Sequence, residues 1–595
     1  MSPRPELRCF PPDEAAAWRR IRRYAVPRWM IERATERRLA GDWQGACAAA
    51  NVDVLFDLSE VADHCGHDVA TELADDLRHF APDLLRWHLP RMLGGRTTLE
   101  TGQTVVLAGY HPKRTGKGQG STPYLHVTTP VMLEGPQRIA LRFETVAEEQ
   151  APGVFGRITG DWRSARHLWD ARHAGELRER CGGSMHRPPF FHPDGSPLGR
   201  DELPAADPGP DDPAALSEWV TLLHQEGKVA AACAAAGIEL DLALPTGRRW
   251  QGVDPERMLG RIALQLTCLE PEIRRLVTEG VGYRFLIGGD WRGYVLLEPA
   301  ALGSRGDLQV RIVDRQEVRE VPFLTEALWR RLPDLDLLRI GGVRPEHLHP
   351  LVGEALFPEL PVTDGPVGPP GPDTPAPVRV RCRGEWHEVG FRPGGLLQMP
   401  HSDEEQQRER ALRAFGGDVA GCFAVEQTWA SGSGRLPKGL RAQMRDVFLR
   451  AQHGDTPGVL ELLDAGVDPR VRDAAGRSLL HVLNLLDHEP LLPRLLAAGL
   501  DLEARDNQDR TPLCVAVSDR GSRALVEALL AAGARIDVVD ETEKSLAQLI
   551  RWYKRADLDF LRKRVQEDHP GAGQAWWDEM MDEDEDDDEN EDEGS

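Results

Sequence analysis

Few residues in this chain combine a reactive type with a spacing suited to joint chemistry. The run Lys113 to Ser121 (KRTGKGQGS) is Gly-rich and basic, so its backbone N–H groups could cradle a phosphate. No Gly-Lys-Ser/Thr opens a helix there, so the P-loop pattern fails. Lying between the strand-like runs 104–108 and 124–129, it reads as a hairpin loop. Histidines and cysteines come close at His64, Cys65 and His67, where the two imidazoles lie three residues apart, one helical turn. His186 and His192 flank prolines with Cys181 nearby, His347 and His349 form another pair, and His387 stands beside Trp386. None completes a tetrahedral ligand set in sequence, and H-E-x-x-H does not occur. Each therefore reads as a surface or core histidine. A G-x-S-x-G elbow and the kinase motifs are missing, and the carboxylates are too numerous to single out a pair. The sequence thus predicts no catalytic residue, no cofactor and no metal site, and leans away from an enzyme.

Arginines and aromatics interleave near the start. Arg19, Arg20, Arg22, Arg23, Arg28, Arg33, Arg37 and Arg38 accompany Trp18, Tyr24 and Trp29. A guanidinium is both a cation and a flat stacking surface, which nucleic-acid and acidic-partner sites use. The segment also reads, and reads more simply, as amphipathic helices around Pro27 with a solvated basic face. At the other end, Asp578 to Glu593 holds thirteen carboxylates and no base, more than half of the formal net charge of -24. Such a run predicts a solvated, disordered tail, able to lie on the basic helices of its own chain. Overall negative charge makes nucleic acid an improbable partner. No stretch of about 18 apolar residues exists for a membrane span.

These features sit in a chain of 595 residues, enough for roughly three to five domains at about 100–200 residues each. With 41% hydrophobic and 28% charged residues the composition is that of globular protein. The nine cysteines are scattered without a C-x-x-C, and no apolar stretch follows the first residues. Free buried thiols in a reducing cytoplasm are the expectation. The excess of Arg over Lys is the coding bias of a GC-rich genome and points to a bacterial source.

Composition breaks set the domains. The sequence predicts a mixed α+β domain over 1–185, a linker over 186–213, and a second α+β domain over 214–357. A Pro/Gly-rich linker follows over 358–377, then a small α+β segment over 378–434. Within that segment 378–382 and 385–391 alternate like strands, 403–415 is a charged helix, and 422–426 reads as a further strand. The two larger domains look duplicated. Gly41–Leu58 and Gly227–Leu244 share Ala-Cys-Ala-Ala-Ala followed by a turn at Asn51 or Gly237 and a short strand. Strand-like runs at 104–107 and 283–287 correspond next, then Arg157–Gly160 with Arg339–Gly342, and His167-Leu168 with His347-Leu348.

The clearest pattern follows Leu440. Leu462-Leu463-Asp464-Ala465-Gly466 recurs at Leu495–Gly499 and Leu529–Gly533, at spacings of 33 and 34. Asp473, Asp506 and Asp540 keep the same period at the turns. In the unit at 510–533, Thr511 can cap a helix whose first turn suits Pro512, and a second helix places Leu525, Leu529 and Leu530 on one face. Gly533 then supplies a left-handed end. One such helix pair cannot cover its own apolar face, so neighbours must stack.

This segment resembles the ankyrin repeat over about Gln443 to Val565. Asp506–Leu513 with Gly521 and Ala532-Gly533-Ala534 match the family pattern well. Asp473–His481 matches less well: Leu479 replaces the proline, and His488 replaces the inter-helix glycine further on; Cys514, in the next unit, stands where the family usually has His. The resemblance implies two central units with two caps within 441–565, an α-solenoid, and a protein-binding surface. Carried to matching positions, the binding candidates are Arg477, Asn507, Gln508, Arg510, Asp519 and Arg520.

The expected fold is therefore multidomain α+β, ending in ankyrin-like repeats and an acidic tail over 578–595. The expected function is a non-catalytic scaffold or adaptor that binds a protein partner through the repeats. Two other readings stand beside it. One is an enzyme or small-ligand-binding protein with its site in the duplicated region. The other is a nucleic-acid-associated protein using the Arg-rich helices, gated by the tail.

Overall fold

A computed structural model describes residues 10–110, 122–146, 158–288, 293–300, 307–314, 318, 321–361, 365–371, 376–391, 397–416, 419–574 and 576–577. Helix and strand are mixed, and the chain divides into two compact units. The first comprises Met1–Val131 with Arg138–Gly368; the second comprises Met132–Gln137 with Pro369–Ser595. The Gly-rich run 113–121 and the acidic tail 578–595 lie outside the described residues.

In the first unit an Ala-rich helix, Trp43–Ala49, buries Ala46 and Cys47, and Asn51 turns the chain with φ +55° into β1 (Val52–Val54). Strands β2 (Thr104–Gly109), β3 (Thr122–Thr128), β4 (Ile139–Val146) and β5 (Ile158–Asp161) complete a sheet of order β1-β4-β3-β2-β5. The β1–β4 and β2–β5 pairings are parallel; the others are antiparallel. The same sequence of events recurs later. Helix Val229–Ala235 buries Ala232 and Cys233, Gly237 turns with φ +73°, and β6 (Ile238–Asp241) follows. Strands β7 (Phe285–Ile287), β8 (Gly293–Pro299) and β9 (Leu308–Asp314) give the order β6-β9-β8-β7, in which only β6–β9 is parallel.

Small side chains let each Ala-rich helix sit close on its sheet, and one continuous apolar core runs through both halves from Phe10 to Phe357. Correspondence fails after the sheets. Ile158–Asp161 is strand β5, whereas Arg339 ends the helix Pro333–Arg339. The position of β5 is taken in the second half by Phe323, which bridges Leu286 in parallel. The proline-rich stretch 186–213 does not run through solvent, because it buries Phe190 and Phe191. Proline removes backbone donors without preventing apolar burial.

The Arg-rich start is partly core. Trp18, Arg22 and Tyr24 are buried in the helix Pro12–Tyr24. Arg22 donates from Nε to Asp334 Oδ1 at 2.7 Å, from Nη2 to Asp334 Oδ2 at 2.8 Å, and from Nη1 to the Trp87 carbonyl at 2.7 Å. Its guanidinium stacks 4.2 Å from the Trp87 ring centroid. Trp18 and Arg22 therefore build the interior and cannot serve as an open stacking platform for bases.

In the second unit β10 (Val378–Cys382), β11 (Glu385–Phe391) and β12 (Leu397–Gln398) form an antiparallel sheet in that order. Helices Asp403–Ala414 and Cys422–Ser431 follow. The second of these overturns the strand expected over 422–426. Cys422, Val425 and Trp429 are all buried at a helical spacing, and Gly432 ends the helix in the left-handed conformation.

Paired helices come next: Lys438–Gln452 with Thr456–Asp464, Pro512–Ser518 with Arg523–Ala531, and Leu546–Trp552 with Asp559–Asp568. Thr511, Ser522 and Ser545 each accept a hydrogen bond from a first-turn N–H of the helix that follows. Between the first and second pairs, the inner helix shrinks to the short turn Leu483–Leu485 before His488–Ala497. Leu479 stands where the proline would be, and Ser478 gives its hydroxyl to His481 Nδ1 at 2.8 Å instead of capping a helix. Gly466, Gly499 and Gly533 end the outer helices with φ of +94°, +81° and +100°, conformations that cost other residues about 1 kcal/mol or more.

Candidate metal centre and repeat surface

His387 is not alone in space. Arg383 and Gly384, both at positive φ, turn β10 into β11, and Val380 pairs with His387 across the hairpin. One hairpin face thus carries Val380, Cys382, His387 and Val389. His401 lies just before the helix Asp403–Ala414, and Cys422 is the first residue of Cys422–Ser431. Gly421 makes this approach possible: a Cβ there would sit 2.6 Å from Cys382 Sγ. The four ligand-type atoms of Cys382, His387, His401 and Cys422 all lie within 4.8 Å of one another. Cys382 Sγ is 3.6 Å from His401 Nε2, His387 Nδ1 is 3.2 Å from His401 Nε2, and Cys422 Sγ is 3.6 Å from His387 Nδ1. Both cysteines are buried. Burial, helped by the neighbouring Cys382, pushes the Cys422 thiol up to about 12. Two thiols and two imidazoles on one point form a Cys2His2 donor set.

The neighbours of the set are ordered too. His401 Nδ1 faces Glu405 Oε2 at 3.3 Å. Glu405 also accepts from the Ser402 N–H at 3.2 Å and donates its own N–H to Ser402 Oγ at 3.3 Å, a reciprocal helix cap. The hydrogen bond from Ser402 and the contact with His401 hold the Glu405 carboxyl below its usual range. Sequence inspection missed this cluster because its ligands come from three elements separated by 13 and 20 residues. The available signal was Cys382 and His387 on one face of a hairpin closed by a two-residue turn.

The other histidine groupings stay apart or meet ordinary partners. Gly66, at φ +98°, breaks the helix between His64 and His67, so they do not share one helical face. His192 lies 3.4 Å from Glu202, and the buried His349 bonds Asp83 at 3.0 Å. In the first unit a cavity of about 70 Å³ is lined by Arg22, His88, Arg91, His167, Arg180 and Arg330, among others. That volume suits a few waters, far below the roughly 300–1,000 Å³ of small-molecule sites. A wider groove of about 650 Å³ passes Met258, Ile262 and Trp329, with Asp254, Arg257 and Arg261 as its charged side chains. It contains no nucleophile with an adjacent base.

The repeat turns share one construction. Asp473 Oδ1 accepts from the N–H groups of Ala475 and Arg477, each at 2.9 Å. Asp506 Oδ1 does the same for Gln508 and Arg510 at 2.9 and 3.0 Å, and Asp540 Oδ1 for Thr542 and Lys544 at 2.9 and 3.0 Å. Neighbouring turns join: the Asn507 N–H donates to the Ala475 carbonyl at 2.9 Å, and the Glu541 N–H to the Gln508 carbonyl at 3.0 Å. Two arginines repeat the step. Arg472 Nη1 donates to the carbonyls of Gly476 and Arg505, and Arg505 Nη1 to those of Asp509 and Val539, at 2.7–3.0 Å.

The six candidate binding residues divide by exposure. Asn507, Gln508 and Arg520 are exposed. Arg477 pairs with Asp473 at 2.7 Å and with Glu134, from the Met132–Gln137 segment of the same unit, at 3.3 Å. Arg510 pairs with Asp506 at 2.9 Å and Asp519 at 3.4 Å. Asp519 is buried, and that burial pushes its carboxyl up against the pull of Arg510. Asn484 Nδ2 bridges the carbonyls of Glu134 and Asp519 at 3.0 and 3.2 Å.

A family model for ankyrin repeats, in three copies, matches residues 447–540. The ankyrin repeat-containing protein P1E11.10 of Schizosaccharomyces pombe is 34% identical over 70 residues, which is 12% of this chain and 34% of that protein. The chain thus spans about a third of the length of that curated relative. No helix among the described residues is long and apolar enough to cross a membrane. With the turn geometry, these matches establish that the C-terminal part of the chain, residues 447–540, consists of ankyrin repeats.

Proposed function

We propose that this chain is a non-catalytic scaffold or adaptor that holds a protein partner on the turn tips of its C-terminal repeats. Ankyrin repeats generally mediate protein–protein interaction. The observation that carries the reading here is the joined row of tips, which presents the side chains of Asn507 and Gln508 outward on a fixed backbone. Pre-organised polar groups bind without a large ordering cost. Arg520 extends the same surface, whereas Arg477, Arg510 and Asp519 act mainly by fixing the turns through ion pairs. The first unit serves as scaffold and arose by duplication of one α+β unit, a reading supported by the matching strand orders of its two sheets. Free, mostly buried cysteines support a reducing cytoplasm as the compartment.

The test uses the full chain as bait beside the triple variant Asn507→Ala, Gln508→Ala, Arg520→Ala. A partner recovered by the parent chain is expected to be lost from the variant, with the unfolding midpoint unchanged. A partner retained at full strength would overturn the assignment of the tips.

A further inference from the structure

We propose that Cys382, His387, His401 and Cys422 bind a single structural zinc ion, through Cys382 Sγ, His387 Nδ1, His401 Nε2 and Cys422 Sγ. Zinc sits about 2.3 Å from thiolate sulfur and about 2.0–2.1 Å from imidazole nitrogen in a tetrahedron, which sets ligand–ligand edges of roughly 3.3–3.8 Å. Three of the six edges are 3.6, 3.2 and 3.6 Å and all four atoms lie within 4.8 Å of one another, so a central ion is reached by small side-chain adjustments.

Polarity points the same way. An ionised carboxylate only accepts hydrogen bonds. Glu405 Oε2 beside His401 Nδ1 therefore places the ring proton on Nδ1 and leaves a lone pair on Nε2, aimed inward. His387 turns its outer Nε2 towards Glu385, whose Oε2 lies 3.8 Å away, beyond hydrogen-bond reach. The inner nitrogens of the two rings then face one another across 3.2 Å, and a cation resolves that encounter. Carboxylates behind ligating imidazoles are the usual outer support of such sites. Two thiolates and two neutral imidazoles select zinc among divalent metals of comparable size, and the thiol protons leave to solvent as it binds.

The ion's work is structural, because protein ligands fill all four positions. It ties the β10–β11 hairpin, the turn at His401 and the helix Cys422–Ser431 to one point. These elements share their core with the repeats of the second unit, through Val389, Phe423 and Trp429 on one side and Val467 and Val471 on the other. The Trp429 carbonyl accepts the Arg472 N–H at 3.0 Å, and Asp468 Oδ2 accepts the Leu397 N–H at 3.3 Å. The metal-tied module thus closes the repeat row at the end where the first helix pair has no leading turn of its own.

Cobalt(II) is the probe, titrated into the full chain after reduction and metal removal. Expected are thiolate-to-cobalt charge transfer and intense tetrahedral d–d bands, saturating at equimolar metal and erased by added zinc. Cys422→Ser is expected to lose about half of the charge-transfer intensity, as befits one thiolate of two. Glu405→Gln keeps the helix cap, since Gln serves in that position, and should retain a tetrahedral spectrum with about 10–100-fold weaker affinity. A weak octahedral spectrum in the parent chain would overturn the proposal. So would an unaltered spectrum in Cys422→Ser, or a Cys382–Cys422 disulfide persisting under reduction. Should Cys422→Ser fail to fold, the titration of the parent chain decides.

Discussion

In the first unit Arg22 enters the core together with its counter-ion, both carboxylate oxygens of Asp334 and the Trp87 carbonyl meeting its N–H groups. In the second, Cys382, His387, His401 and Cys422 bring their ligand-type atoms within 4.8 Å of one another. The first arrangement is complete as it stands. Each charge of that pair meets its opposite, and the cost of desolvation is offset by short, well-directed bonds. The second gathers four ligand-type atoms held by weak contacts, thiol to imidazole at 3.6 Å and imidazole to imidazole at 3.2 Å. A buried polar cluster that closes on itself is architecture; one whose ligand atoms converge suits a bound ion.

That contrast can be broken at several strengths. The largest effect is expected from a chelator. Hydrogen exchange should accelerate across 378–431 while β2 and β4 keep their protection, since structural zinc contributes on the order of 10 kcal/mol in small domains. Equal loss in both units, or none, would erase the distinction. Next, Asp334→Ala strands a buried guanidinium and should cost about 3–5 kcal/mol, read from the denaturant midpoint of the first unit. Replacing Arg22 by Met and Asp334 by Leu together should recover most of that loss, because no lone charge remains.

A pH effect follows in size. Burial, with Arg331 nearby, lowers His224 from 6.5 to about 4, and burial drives His88 and His167 downward too. Between those values the unfolded chain binds a proton that the folded chain refuses. His224 therefore contributes stability that is fully present above pH 6.5 and is lost as pH falls towards 4. His224→Gln should flatten the slope by about 1.4 kcal/mol per pH unit. The smallest change is expected from Gly421→Ala. Its φ of +62° and the 2.6 Å approach to Cys382 Sγ predict a loss of about 1–3 kcal/mol, visible as weaker cobalt binding.

What could be read from the residues depended on the range of the interactions. The repeats were legible because each unit restates itself: Thr511, Pro512 and Gly533 act within a few residues, and the period of 33–34 does the rest. The Ala-rich helices and the turns at Asn51 and Gly237 were legible for the same local reason. The strand orders were not, since pairing β1 with β4 joins Val52 to Ile139 and no local pattern encodes that step. Residues 422–426 read as a strand because Phe423 and Val425 favour one, while the tertiary core used the helical spacing of Cys422, Val425 and Trp429 instead. Arg477 and Asp519 were placed on the binding face by analogy of position. Glu134, more than 340 residues away in sequence from Arg477, engages that pair from within the same unit.

The arginine steps at Arg472 and Arg505 carry a consequence for how this protein can change over generations. Each guanidinium satisfies one carbonyl of its own turn and one of the turn that follows, so the bonding rule is identical at every junction. Inserting a whole further copy between existing turns leaves no donor or acceptor orphaned, whereas inserting part of one strands both. Growth or shrinkage of the array is thereby quantised in complete modules, and the length of the row of turns can change by copy number while each arginine step keeps its rule.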